Sequence, residues 1–333
     1  MKNLPYLSII VPCYKRISQT IKTIKLIFNS KGFNSEFQAE VIVADSTPDN
    51  SLKDSLLKTF GSKIIYTKPK TPGIATNKNQ GAKIAKNPIL IFCDSDMEVE
   101  KDTLINTIKS LKKHDTAAGV GGQVIWKGGP KNGQFDRPRA EDRRIKVRQT
   151  IYIEAIYSRF FATYKDVFWE VGGYDEKIFN MRGEGSDLSI RYWRMGYPLA
   201  YDPSIRVHHI YDAPDSIALR IKEPDLDIAK DLLILAYKYD LLDPDNINFV
   251  KTVAANFKKF GDAGYFKIIQ GITKHLDFIT KVKAIIDTQK KNEKVKFNFK
   301  FLEVFSNKEM FEKCIIEAQD KLAKIRKKSF PDL

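Results

Sequence analysis

Ile89-Leu90-Ile91-Phe92-Cys93-Asp94-Ser95-Asp96 is a run of five apolar residues followed at once by two carboxylates two positions apart. A short apolar run of this length fits a strand buried on both faces, which is the signature of a parallel sheet. Three similar runs, residues 7–11, 40–44 and 63–67, precede it. Between them Ile17, Ile21, Ile24 and Phe28 recur at helical spacing, and residues 73–85 and 101–111 carry similar stripes. The repeat strand, helix, strand predicts an α/β fold, a mostly parallel sheet between helices. Residues 198–201 read as a further strand, and after about residue 214 the pattern turns purely helical. The expected organisation is therefore a catalytic-type α/β domain over residues 1–213, with halves at about 1–97 and 98–213, and a helical region over 214–333.

Composition narrows the functional classes. The chain has 333 residues, 43% hydrophobic, with 56 Lys and Arg against 41 Asp and Glu, a net charge of +15. This is ordinary globular composition with a surface that attracts anions. No helix-turn-helix, zinc or aromatic RNA motif accompanies the charge, so nucleic acid is not expected as a partner. Cys13, Cys93 and Cys314 are far apart and form no CxxC pair, which excludes a zinc knuckle and a disulfide framework and leaves a reducing cytoplasm as the expected setting. No apolar run is long enough to span a membrane, and the start MKNLPYLSIIVP runs into a strand rather than a leader's apolar stretch. Residues 127–144 are rich in Gly, Pro and charge and read as a surface loop.

Ligands of an open parallel sheet bind at the carboxyl ends of its strands. The first strand ends in Val11-Pro12-Cys13-Tyr14-Lys15-Arg16, with neither the glycine pattern of a dinucleotide fold nor a Walker lysine. The second ends at Asp45. Asp94 and Asp96, at i and i+2, would point to one side of an extended segment, where they repel unless a cation such as Mg²⁺ or Mn²⁺ lies between them. Glu184, in the Gly-flanked turn before a helix, suits a general base; Asp187, at that helix start, reads equally as a capping carboxylate or a second candidate base. Of the adjacent His208 and His209, only one normally reaches a site on one side of the chain; with Asp96 it would make a mixed oxygen and nitrogen set fitting Mn²⁺ somewhat better than Mg²⁺.

Taken together, LSIIVPCYKR, VIVADSTPDNS, GIATNKNQGAKIAKNP, ILIFCDSDMEVE, VGGYDEKI, RGEGSDLSIRYWRMGYP and DPSIRVHHIYD resemble, in this order, the family 2 glycosyltransferases of the A-type (GT-A) fold, over roughly residues 4–214. The resemblance implies a metal-dependent transfer from a nucleotide-diphosphate sugar, a UDP-sugar by preference, to a hydroxyl of a glycan or lipid-linked acceptor. Carried over residue by residue, it implies that Pro12, Tyr14, Arg16 and Asp45 hold the nucleotide, that Lys78 of Asn77-Lys78-Asn79 faces the donor phosphates, and that Asp94 and Ser95 contact the ribose side. Asp94, Asp96 and His209 become the ligands of Mn²⁺ or Mg²⁺. Where the family often reads Glu-Asp this chain reads Glu184-Gly185, leaving Glu184 as the base and Asp187 second. An inverting transfer is expected, with a retaining one or a non-catalytic sugar-nucleotide binder as alternatives. Aromatics Trp126, Tyr152, Tyr157 and Trp193 are candidates for the acceptor pocket or for core packing.

The final 83 residues hold 19 Lys and Arg against 10 Asp and Glu. Ser306 and Glu309 form a capping box for a last helix with Phe311, Cys314, Ile315, Ala318, Leu322 and Ile325 on one face and Lys324, Arg326, Lys327 and Lys328 at its end. Such a helix either rests peripherally on an anionic membrane beside a lipid-linked acceptor or packs on the catalytic domain with its charges solvated.

Overall fold

The computed structural model describes residues 4–129, 132–133, 135–136, 144–147, 150–210, 231, 234–239, 273, 276–291, 304–305 and 307–330. Strands β1 (Tyr6–Cys13), β2 (Gln38–Asp45), β3 (Ile64–Thr67) and β4 (Ile89–Cys93) alternate with helices α1 (Ile17–Phe28), α2 (Ser51–Phe60) and α3 (Ile74–Ile84). They pair in parallel in the order β3-β2-β1-β4. The register Cys13↔Asp45 and Ile10↔Phe92 brings the ends of β1, β2 and β4 to one edge of the sheet. β1 lies beside β2 on one flank and β4 on the other, so the crevice past Cys13 and Cys93 is the switch point where such sheets take ligands.

The second half continues the same sheet. β5 (Met97–Val99), α4 (Thr103–Lys113), β6 (Gly119–Lys127), β7 (Phe135–Asp136), β8 (Arg144–Val147), β9 (Thr150–Ile153), β10 (Phe160–Tyr164), α5 (Lys165–Glu170), α6 (Glu184–Arg194) and β11 (Leu199–Ile210) follow. β10 runs antiparallel between β4 and β6, and β6 pairs in parallel with β11. The expected short strand at 198–201 is the start of the twelve-residue β11, with an irregularity in its pairing between Tyr201 and Arg206. The loop expected at 127–144 contains the strand β7 against β6; the rest of it lies largely outside the described residues.

Among the described residues of the basic C-terminal region lie the helices α7 (Leu276–Lys291) and α8 (Lys308–Ser329). The cap of α8 is Asn307, whose Oδ1 accepts the Met310 N–H at 3.2 Å, so the helix begins one residue later than a Ser306 box would place it. Ser306 itself lies outside the described residues. The apolar stripe of α8 is used inside the molecule: Phe311 meets the rings of Tyr152 and Trp193 at 5.5 and 6.0 Å, and Phe330 meets Tyr164 at 6.4 Å. Arg326 donates to the Lys112 carbonyl at 2.6 Å and Lys321 to that of Met195 at 2.9 Å. Of the two readings of this face, the contacts are those of packing on the catalytic domain, while Lys313, Lys324 and Lys327 remain exposed. Among the described residues no helix is long and apolar enough to cross a membrane.

Removing residues 307–333 is accordingly expected to yield insoluble or unfolded protein, because it uncovers Tyr152, Trp193 and Tyr164 together. Size-exclusion and circular dichroism of the truncated chain check this; a monodisperse product with the parent's melting midpoint would count against it.

Candidate active site

The turn after β1 is built from two residues in left-handed backbone, Lys15 at φ 58° and Arg16 at φ 51°. Each costs about 1–2 kcal/mol for a side chain with a Cβ. The conformation is held by the Lys15 N–H donating to Thr47 Oγ1 at 2.7 Å, and it sends the Arg16 guanidinium onto Asp96 Oδ2. Tyr14 is half-buried under the Lys15 ammonium, 5.6 Å from its ring centroid, and Pro12 is buried in β1.

Asp94 and Asp96 do not lie in extended backbone. The Met97 N–H bonds to the Asp94 carbonyl at 3.1 Å, and Thr23 Oγ1 of α1 lies 2.9 and 2.8 Å from the carbonyls of Ser95 and Met97. The resulting turn parts the two carboxylates. Asp96 faces His209, whose Nε2 is 3.3 Å from Asp96 Oδ2, because β5 pairs antiparallel with β11 in the register His209↔Met97. His208, pointing the other way, meets Glu100 at 2.9 Å. Burial works against an ionised Asp96, but the His209 hydrogen bond and the charges of Arg16 and Arg159 overcome it and hold the carboxyl well below the usual range.

Asp94 turns instead to Lys78. Lys78 is wholly buried, its Nζ 2.9 Å from the Ser158 carbonyl and 3.3 Å from both Asp94 Oδ1 and Glu184 Oε1. Burial alone would strip its charge; the two carboxylates reverse that and raise its pKa. Burial pushes the Asp94 carboxyl up to about 6, against the pull of Lys78, with Asp96 and Glu184 adding to the rise. The expectation that Lys78 faces donor phosphates is corrected: its Nζ donates to the Ser158 carbonyl and Glu184 Oε1 and stands 3.3 Å from Asp94 Oδ1. Its neighbours brace the same place, Asn77 Nδ2 on the Cys13 carbonyl at 2.9 Å and Asn79 on the backbone N–H and carbonyl of Tyr174 at 2.9 Å each.

Asp45 is likewise enclosed. Its Oδ1 accepts the Thr47 N–H at 2.7 Å and its Oδ2 the Tyr66 hydroxyl at 2.9 Å, with no exposure to solvent. Both of its oxygens are taken by the Thr47 loop and Tyr66, so it is not an open acceptor. Ser95 is buried, and the residue's carbonyl anchors the turn to α1.

Glu184 opens α6, one residue later than a pre-helical turn, behind Gly183 at φ 76°. Its Oε1 accepts the Ser158 hydroxyl at 2.6 Å and faces Lys78. Gly185 packs against Ser158: a Cβ there would meet the Ser158 Cβ at 2.9 Å, so the space of a further carboxylate is filled. Asp187 is not a base. Its Oδ2 takes Arg191 Nε and Nη2 at 3.0 and 2.6 Å, its Oδ1 takes Lys238 and the Tyr239 hydroxyl at 2.6 Å each, and the residue has no exposure. Burial opposes its ionisation, yet Arg191, Lys238 and Tyr239 bring its pKa down to about 2.

That depression stabilises the fold wherever Asp187 is ionised in both states, and the contribution, about 2 kcal/mol, disappears as pH falls from roughly 4 through 2. Asp187→Asn strands buried cations and is expected to cost about 3 kcal/mol or more, lowering the melting midpoint by roughly 5–10 °C at neutral pH. The deficit relative to the parent should shrink below pH 4, and thermal melts from pH 7 to pH 2.5 read it directly.

Several groups had no sequence signal. Ser158 and Arg159 precede β10 in an unpatterned stretch, yet Arg159 lies over the Trp126 ring at 5.2 Å, and Trp126 sits edge-on to His209 at 4.4 Å. Asn180 caps α3 from a distant loop: its carbonyl accepts the N–H groups of Ile74 and Ala75 at 2.8 and 3.1 Å, and its Oδ1 that of Thr76 at 3.1 Å. A Cβ on Gly73 would lie 1.9 Å from that Oδ1, which explains a glycine there. Of the four aromatics considered for an acceptor pocket, Trp193 and Tyr152 are core; Trp193 donates to the Ile153 carbonyl at 3.0 Å.

Among the described residues no three His, Cys, Asp or Glu side chains gather into a metal cage. Of the expected trio, Asp94 faces Lys78, while Asp96 and His209 face each other. Asp96 and His209 still fit a divalent ion: adjacent ligands of an octahedral ion with bonds of about 2.1 Å stand roughly 3 Å apart, as Asp96 Oδ2 and His209 Nε2 do at 3.3 Å. Arg16 brings positive charge to the same oxygen, and a two-residue site leaves the remaining positions for ligand oxygens and water.

Residues 8–172 match the family model described as glycosyl transferase family 2. Curated relatives include N-acetylgalactosaminyltransferase 4 of Drosophila melanogaster, 25% identical over 56% of this chain and 35% of its own, and the uncharacterized glycosyltransferase YfnE of Bacillus subtilis (strain 168), 35% identical over 36% of this chain and 30% of its own. The chain spans about a third of the length of the curated relatives it matches. Among solved structures, a mannosyltransferase of Pyrobaculum calidifontis in complex with GDP-Man and Mn²⁺ has a TM-score of 0.56 at 15% identity, covering 96% of this chain and 88% of that one. GalNAc-T7 with UDP, GalNAc and Mn²⁺ has a TM-score of 0.52 at 20% identity, covering 63% of this chain and 45% of that one. At these identities the likeness is one of fold.

Proposed function

Residues 8–172 belong to glycosyl transferase family 2, and from that premise we propose that the chain transfers a sugar from a nucleotide-diphosphate donor, a UDP-sugar first, to a hydroxyl of a glycan or lipid-linked acceptor with the help of Mn²⁺ or Mg²⁺. One observation carries the reading: Arg16, Asp96 and His209 converge at the switch point of the sheet, with Glu184 across the Lys78–Asp94 pair from them. Asp96 and His209 would hold the metal, which would supply positive charge for the leaving diphosphate. Arg16 adds a second cation on the same side. Tyr14, Tyr66 and the Thr47 loop form the edge where a nucleoside rests. Glu184 accepts the proton of the attacking hydroxyl while Lys78 and Ser158 fix its carboxylate, and inversion at the anomeric carbon follows from attack on the face opposite the diphosphate.

Relatives and neighbours named for UDP, GDP-Man and GalNAc support a screen of nucleotide sugars with and without Mn²⁺. Metal-dependent release of the nucleotide diphosphate and transfer to an added acceptor are expected, with NMR of the product giving the inverted anomer. Binding without turnover would mark a non-catalytic binder, and a retained anomer would remove Glu184 as base. The exposed lysines of α8 also support a charge-only contact with an anionic cytoplasmic leaflet near the acceptor, read by salt-sensitive binding to anionic liposomes.

A further inference from the structure

Lys238 carries a charge into the interior where the first turn of α6 meets the C-terminal region. Its Nζ stands 2.7 Å from Asp175 Oδ2 and 2.6 Å from Asp187 Oδ1, with only 11% of the side chain exposed. The Tyr239 hydroxyl donates to the same Asp187 oxygen, and Gln289 of α7 reaches Asp175 Oδ2 at 3.3 Å. Asp175 Oδ1 meanwhile accepts the N–H groups of Lys177 and Ile178 at 3.0 and 3.1 Å, shaping the turn that follows it.

Asp175 and Asp187 bracket a loop and the first turn of α6, which contain two working parts of the site: Asn180, the cap of α3 and so of the helix bearing Lys78, and Glu184 itself. A single ammonium therefore ties the two ends of this loop together. Asp187 is fully buried and also pairs with Arg191, Asp175 is half-buried, and Lys238 is the ammonium that contacts both. Lys238 lies outside residues 8–172, so the tether comes from the part of the chain that the family match does not cover.

We propose that Lys238 is a positioning residue for Glu184: by joining Asp175 to Asp187 it fixes the first turn of α6 against the Lys78–Asp94 pair. The C-terminal region thereby takes part in organising the chemistry as well as covering the core. The inference rests on the reading of Glu184 as base. A misplacement near 1 Å in a reacting group costs about a hundredfold, so loss of the tether acts on turnover more than on donor binding.

The test uses full-length Lys238→Met, Lys238→Arg and Tyr239→Phe, with steady-state kinetics, donor binding by calorimetry and amide hydrogen exchange over residues 176–186. Lys238→Met is expected to lower kcat by roughly 10–100-fold with donor KM within about twofold. Exchange should rise about tenfold in the loop and not in β1–β4. Lys238→Arg, which keeps the charge, should recover most of both. Should Lys238→Met not fold, Tyr239→Phe keeps the ammonium, removes one bond to Asp187, and is expected to lower kcat by roughly three- to tenfold with the same local exchange signature. Parent-like kcat and exchange in a folded Lys238→Met or Tyr239→Phe overturn the proposal, as does exchange raised uniformly across the chain. Full activity in Glu184→Gln overturns the base reading alone, while loop-confined exchange in Lys238→Met still supports the tether.

Discussion

Asp96→Ala is expected to lower transfer by at least roughly 10³-fold and to abolish stabilisation by Mn²⁺ with UDP, while the protein still folds. A bound metal contributes several kcal/mol to a developing charge, and each 1.4 kcal/mol is tenfold in rate. The residue sits in a turn past the end of β4, held by backbone bonds and Thr23 rather than by its own side chain. Removing the carboxylate takes away the shared partner of Arg16 and His209, so two cationic or polar groups are left facing each other and the cation site has one ligand. Thermal melts with and without Mn²⁺ and UDP, alongside transfer assays, separate folding from function. Unchanged transfer in excess chelator, or a Mn²⁺-dependent midpoint shift of parental size in the variant, would sink the assignment.

Glu184→Gln is the second large effect: kcat is expected to fall by roughly 10²–10⁴ with donor affinity near that of the parent. The amide keeps the shape and can still accept the Ser158 hydroxyl, but it cannot take a proton and it leaves Lys78 with one carboxylate instead of two. The same substitution should lower stability modestly, because the wholly buried ammonium loses a counter-charge. Rate and midpoint measured together distinguish the two consequences. A loss confined to the midpoint would make Glu184 a counter-ion and nothing more.

The sheet and its site edge were legible because strands buried on both faces write themselves as apolar runs; residues 89–93 match β4 residue for residue. The neighbours of that strand were legible for the same reason. Which way Asp94 and Asp96 point was not, since it depends on a turn fastened by Thr23 some 70 residues earlier in the chain. Lys78 was misread because the pattern Asn77-Lys78-Asn79 does not show that Ser158 and Glu184 close over it. His209 was separable from His208 only by likeness; the strand pairing with β5 then gives the physical reason. Asp187 carried two readings at equal weight, and partners at positions 191, 238 and 239 decide between them. Local patterns report what a residue does for its own element, and most of this site is made of what residues do for distant ones.

The contacts of the cleft join positions far apart along the chain: Arg16 with Asp96 across 80 residues, Thr76 with Asn180 across 104, Lys78 with Glu184 across 106 and Asp96 with His209 across 113. The β1–β2 and β2–β3 pairs close shorter loops and can form early, whereas β1–β4 and the closures of the cleft carry a larger entropic cost. During vectorial synthesis a nascent chain that has emerged only as far as residue 180 owns Asp96 but neither His209 nor Glu184. It can form the β1–β4 edge without the groups proposed to act there. The cleft is therefore completed late, after β11 has brought His209 to Asp96 and the C-terminal segments have closed on Asp187 and Trp193.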